Sequence, residues 1–102
     1  MAKAARGGSK PPPPTTLSDL ILIVGNGIAR TSISPNAQWA GIQKFASMTT
    51  TTGAISVGNW NYSIPPGEGA SRSVSIVGTG YYRGWSSDFD GKVHVSNVVF
   101  VP

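Results

Sequence analysis

From Leu17 onward, apolar and polar positions alternate in short, strand-sized segments separated by turn residues. Leu20, Ile21, Leu22, Ile23 and Val24 form a continuous apolar run, the pattern of a strand covered on both faces. Gly25, Asn26 and Gly27 follow, and Asn-Gly is the strongest short-range hairpin signal because both residues tolerate positive φ. Ile28 to Ile33 alternates imperfectly as the returning strand, before Pro35 and Asn36 interrupt it. Two readings fit residues 37–48. Trp39, Ile42, Phe45 and Ala46 recur near helical spacing, whereas a strand over Ile42 to Ser47 suits the β-rich surroundings better.

Thr49 to Gly53 is a polar connector or the start of a strand. Ile55 and Val57 then share one parity, and Trp60, Tyr62 and Ile64 share the other, so a bulge or bend is expected at Gly58–Asn59. Pro65 to Gly69 is a loop, and Val74 and Ile76 mark a strand that ends at Gly78–Thr79–Gly80. Tyr81 to Trp85 runs as a short strand into the turn residues Ser86 to Gly91. Lys92 to Val101 closes the chain, apolar on both parities at its end. The expected fold is all-β: a small β-sandwich, jelly roll or barrel.

Composition divides the chain in two. Residues 1–16, MAKAARGGSKPPPPTT, hold Lys3, Arg6 and Lys10 beside four consecutive prolines that exclude helix and inner strand. A disordered basic arm is expected there, with a single β domain over 17–102. Arg30, Lys44, Arg72, Arg83 and Lys92 nearly balance Asp19, Glu68, Asp88 and Asp90, so the body carries +1 of the total +4. Charged residues are only 12% of the chain, and so sparse a charge weakens the self-repulsion that keeps proteins apart. A homo-oligomer, or association with other structural subunits, is therefore expected. Leu20, Leu22, Val24, Val99 and Val101 are the candidate assembly contacts.

The chemistry-bearing residues are few. The chain has no cysteine, which removes disulfides, thiolate nucleophiles and Cys-based metal sites. No apolar run reaches membrane-spanning length, and prolines stand where a secretory signal would need its apolar region. Asp88, Asp90 and Gly91 resemble a calcium loop too faintly to supply six oxygens, so an Asp-stabilised turn is the stronger reading. His94, the single histidine, sits on the non-Val face of its strand, exposed or hydrogen-bonded. Asn61–Tyr62–Ser63 is a formal glycosylation sequon inside a strand-like run. No cofactor and no metal are expected, and the chain is expected not to be an enzyme.

Two surfaces remain as binding candidates. Lys3, Arg6 and Lys10 are candidates for contact with nucleic acid or another acidic surface, with an effect that grows if an assembly repeats the arm. Tyr81, Arg83, Trp85 and Asp88 are the candidate glycan or receptor contact, since rings stack on sugars and Arg and Asp bond their hydroxyls. Alternation puts Tyr81, Arg83 and Trp85 on one side and Tyr82 on the other.

A basic, Pro-rich arm followed by a neutral β body resembles the organisation of viral coat and phage virion proteins. The stretch WNYSIPPGEGASRSVSIVGTG, residues 60–80, resembles the opening of Gly-rich domains in phage tail proteins, without their long glycine-rich continuation. The resemblance implies a structural subunit located in a virion.

Overall fold

The alternating segments become eight strands in the computed structural model, which describes residues 15–47 and 54–102. They are β1 (Thr16–Leu20), β2 (Leu22–Gly25), β3 (Ile28–Ser32), β4 (Ala37–Phe45), β5 (Ile55–Asn61), β6 (Ser71–Ser75), β7 (Gly80–Asp88) and β8 (Val93–Val101). A five-stranded sheet has the order β1-β8-β7-β4-β5, and a three-stranded sheet the order β2-β3-β6. All neighbours are antiparallel except β1, which runs parallel to β8. The two sheets face each other across a shared core, so the fold is a small all-β sandwich.

The hairpin between β2 and β3 forms where Asn-Gly predicts it. Asn26 at φ 53° and Gly27 at φ 74° give the two-residue turn whose twist matches the flanking strands. Residues 37–45 are a nine-residue strand, longer than the strand reading had it, and the helical spacing of Trp39, Ile42 and Phe45 is coincidental. Ala40 and Ile42 face inward, while Trp39 and Phe45 lie on the other face. The bulge in β5 falls one residue before its expected place. Ile42 pairs with Gly58 and Gln43 with Ser56, which leaves Val57 as the additional residue.

The run from Leu20 to Val24 departs from expectation. It is two strands joined at Ile21, where the chain crosses from one sheet to the other, and it is covered on one face only. Leu20 and Leu22 are buried, whereas Ile21 and Ile23 are 62% and 66% exposed. At the crossing the Asn97 side chain meets both backbone groups of Leu22: its Oδ1 accepts from Leu22 N–H at 2.9 Å and its Nδ2 donates to Leu22 O at 3.1 Å. A buried backbone group without a partner costs about 1–3 kcal/mol, so this amide makes the jump between sheets tolerable.

The interior has its main apolar core at one end and mixes a smaller apolar cluster with polar groups at the other. Leu22, Ala29, Ile42, Ile76 and Tyr82 make the main core, with Val24, Val57, Val74, Val99 and Val101 packed against it. Tyr82 is fully buried, and its hydroxyl donates to Gly78 O at 3.0 Å. Ile33, Ala37 and Ala40 form a second cluster against Trp60, Tyr62 and Ala70. Toward the other end the inward positions of β7 and β8 are Gly84, Ser86, Asp88, His94 and Ser96. The sheets approach so closely there that a Cβ on Gly84 would lie 2.6 Å from Thr31 Cβ.

Candidate functional site

Strict alternation along β7 sorts the richest sequence cluster onto two faces. Gly80, Tyr82, Gly84, Ser86 and Asp88 point inward, while Tyr81, Arg83, Trp85 and Ser87 point outward. Cross-strand register then sets the outward residues beside others of like character. Tyr81 pairs with Phe45 and Phe100, Arg83 with Gln43 and Val98, and Trp85 with Gly41 and Val95. Tyr81 stacks on Phe45 at 6.1 Å between ring centroids and meets Phe100 at 4.9 Å. Arg83 spans the face, donating from Nη2 to Gln43 Oε1 at 2.7 Å with its guanidinium 5.8 Å from the Phe45 ring centre. Burial pulls the Arg83 pKa down from its usual value. Trp85 lies against Gly41, where a Cβ would sit 2.6 Å from the indole Nε1, so only glycine lets the ring settle on the backbone.

The outer face of the five-stranded sheet is thus a platform of rings and valines in which Phe45 is buried by its neighbours and Tyr81, Arg83 and Trp85 are partly buried. Phe100 is 51% and Trp39 40% exposed on it. Its cation is held flat by Gln43 and Phe45 and does not project into solvent.

Asp88 does not belong to this platform. The sequence reading grouped it with Tyr81, Arg83 and Trp85, but odd and even positions of a strand face opposite ways, and Asp88 is buried on the inner side. There it meets His94. The His94 ring lies between two carboxylates: Nε2 is 2.9 Å from Asp88 Oδ2, and Nδ1 is 2.8 and 3.0 Å from the two oxygens of Asp19. A carboxylate can only accept, so both bonds together require both ring nitrogens to carry protons. Burial opposes that charge, and the hydrogen bonds and charges of Asp19 and Asp88 outweigh it, raising the His94 pKa above the ordinary 6.5. Beside the ring is a cleft of about 270 Å³ lined by Asp19, His94, Leu20, residues 32–35 and residues 69–71.

Of the candidate assembly contacts, Leu20 and Leu22 are interior side chains, and Val24, Val99 and Val101 pack against the monomer's own core. Those five are corrected: the apolar side chains offered outward have the opposite parity, among them Ile21, Ile23 and Phe100. Lys3, Arg6 and Lys10, with the arm to Pro14 and the connector through Gly53, lie outside the described residues. Asp90 serves the turn, accepting from Lys92 N–H at 3.1 Å. His94 is buried, of the two placements the hydrogen-bonded one. No cluster of three or more His, Cys, Asp or Glu suited to a metal ion occurs among the described residues, and no helix there is long and apolar enough to cross a membrane.

The His94 cluster went unread in the sequence, although its signal was present. Outward Tyr81, Arg83 and Trp85 imply an inward Asp88, and an inward carboxylate needs a donor. The single histidine lies on the next strand.

The fold and its surfaces define a two-sheet β-sandwich with an aromatic outer face and a charged cluster closing one end of its interior. No family model matches the chain, and no curated protein matches it. Among solved structures it is similar to a superoxide reductase (neelaredoxin) from Ignicoccus hospitalis, at 9% identity and a TM-score of 0.49, over 90% of this chain and 74% of that one. Likeness at that level transfers no activity. It does correct one expectation: the similar structure bears an enzyme's name, so the exclusion of enzymes drawn from the sequence is withdrawn.

Proposed function

We propose that the chain is a structural subunit of a supramolecular assembly, with the outer face of the five-stranded sheet packed against a second copy. The observation that carries this reading is the platform of Trp39, Tyr81, Trp85 and Phe100 beside the outward row of Val93, Val95 and Val98. Nine-residue strands β8, β7 and β4, with β5 beside them, span a face roughly 30 Å by 19 Å. That is on the order of 600 Å², close to the ~800 Å² per partner of a standard interface. A near-neutral body adds little repulsion between copies. In this reading the arm that precedes β1 extends over a neighbour or reaches nucleic acid through Lys3, Arg6 and Lys10. A virion is the setting that such an arm on a neutral β body favours.

The test is a pair of charges placed on the platform, Trp39→Glu with Phe100→Glu. Both side chains are substantially exposed in the monomer, so the fold tolerates the change while a packed face does not. Sedimentation should show self-association of the native chain lost in the double variant, with β-sheet circular dichroism unchanged. Association that survives both charges would reject this face.

A second reading is favoured by the shared orientation of Tyr81, Arg83 and Trp85: a carbohydrate- or receptor-binding module with a ring platform. Glycan binding that disappears in Trp85→Ala would support it, and the absence of any binding at millimolar sugar would remove it.

A further inference from the structure

We propose that His94 is a protonation-dependent clasp that holds β1 against the five-stranded sheet. β1 is an edge strand with one neighbour, β8, and its residues 16–19 are exposed. Its register on β8 slips between Leu17 and Leu20, so the ladder itself is interrupted. Beyond the paired positions Thr16–Val93, Leu17–His94 and Leu20–Ser96, few contacts tie it down. Val93 N–H donates to Thr15 O at 2.8 Å, Leu20 is buried, and the Asp19 carboxylate grips His94 with both oxygens. His94 therefore joins three strands, β1 through Asp19, β8 through its own backbone and β7 through Asp88.

The two carboxylates are not equivalent, and that decides which bond yields. Asp88 has 4% of its side chain exposed and Asp19 has 54%. Asp88 Oδ1 already lies buried without a hydrogen-bond partner among the described residues. A neutral imidazole keeps one N–H. Leaving a buried carboxylate uncompensated costs far more than returning a half-exposed one to water. The remaining proton stays on Nε2 with Asp88, and Asp19 faces the bare lone pair of Nδ1. Deprotonation thus releases β1 and leaves the core pair of β7 and β8 intact. Asp19 from β1 and Asp88 from β7 are the titratable groups that face the ring among the described residues. The other walls of the adjoining cleft, Leu20, residues 32–35 and residues 69–71, carry no ionisable side chain. Lys92, two residues away on the approach to β8, is paired with Asp90 at 3.7 Å.

The experiment is amide hydrogen exchange on the full chain across a pH series, corrected for the intrinsic pH dependence of exchange. The His94 ring protonation is followed by NMR in the same samples. Protection of Val93 and of the β1 amides should fall about tenfold or more as the ring loses its proton, whereas Ile42 and Tyr82 in the central strands stay protected. Asp19→Asn should hold β1 at low protection across the whole series, with the central amides as the check that the variant is folded. Constant β1 protection through the His94 titration would overturn the clasp, and so would an Asp19→Asn chain that keeps the native pH profile.

Discussion

At the residue scale, the buried charge of Asp88 is satisfied inside a small β-sandwich by the His94 ring. His94→Ala leaves Asp88 buried with no cation, a change that typically costs about 3–5 kcal/mol, and urea denaturation at mildly acid pH would measure it. The pH dependence has a definite sign. The folded-state pKa of His94 is raised, so its contribution is fully present below the ordinary value of 6.5 and is lost as pH rises through the raised value. The native chain should lose stability over that interval, while His94→Gln gives a flatter profile. Gly84 supplies a second test, because an added Cβ meets Thr31 across the sheets. Gly84→Ala should destabilise by about 1–3 kcal/mol through overpacking, and Thr31→Ala in the same chain should recover part of that loss.

At the element scale, the turns were more legible than the ends of strands. Asn26–Gly27 specifies its hairpin because two successive positive φ angles are cheap for those residues alone. Gly27→Ala should therefore cost about 1 kcal/mol, seen as a lower urea midpoint with an unchanged m-value. The alternation of Tyr81 to Trp85 likewise showed which side chains share a face. The run Leu20–Val24 misled, because five consecutive apolar residues suit a strand covered on both faces as well as two strands joined at a crossing. What separates those cases is Asn97, seventy-five residues away, whose amide satisfies Leu22. A partner so distant leaves no local trace. Residues 37–45 were ambiguous for a related reason: Trp39 and Phe45 face outward and Ile42 inward, so apolar residues on both faces of a strand imitate a helical period.

At the scale of the whole molecule, the interior holds fewer of the apolar groups than their number suggests. Valines and rings line both sides of the five-stranded sheet, and only one side is covered by β2, β3 and β6. The assembly contacts read from the sequence were therefore of the wrong parity, though surplus apolar surface itself was legible in the low charge and the frequency of β-branched residues. The outward rows of Trp39, Trp85, Tyr81 and Phe100 now carry that argument. Covering such a surface stabilises by roughly 25 cal/mol per Å² before ordering costs, which favours association at modest concentration. Sedimentation equilibrium of the unmodified chain over a hundredfold range of concentration is the most direct measurement. The account predicts a mass that climbs with concentration from one chain to two or more; a mass fixed at that of a single chain throughout would contradict it.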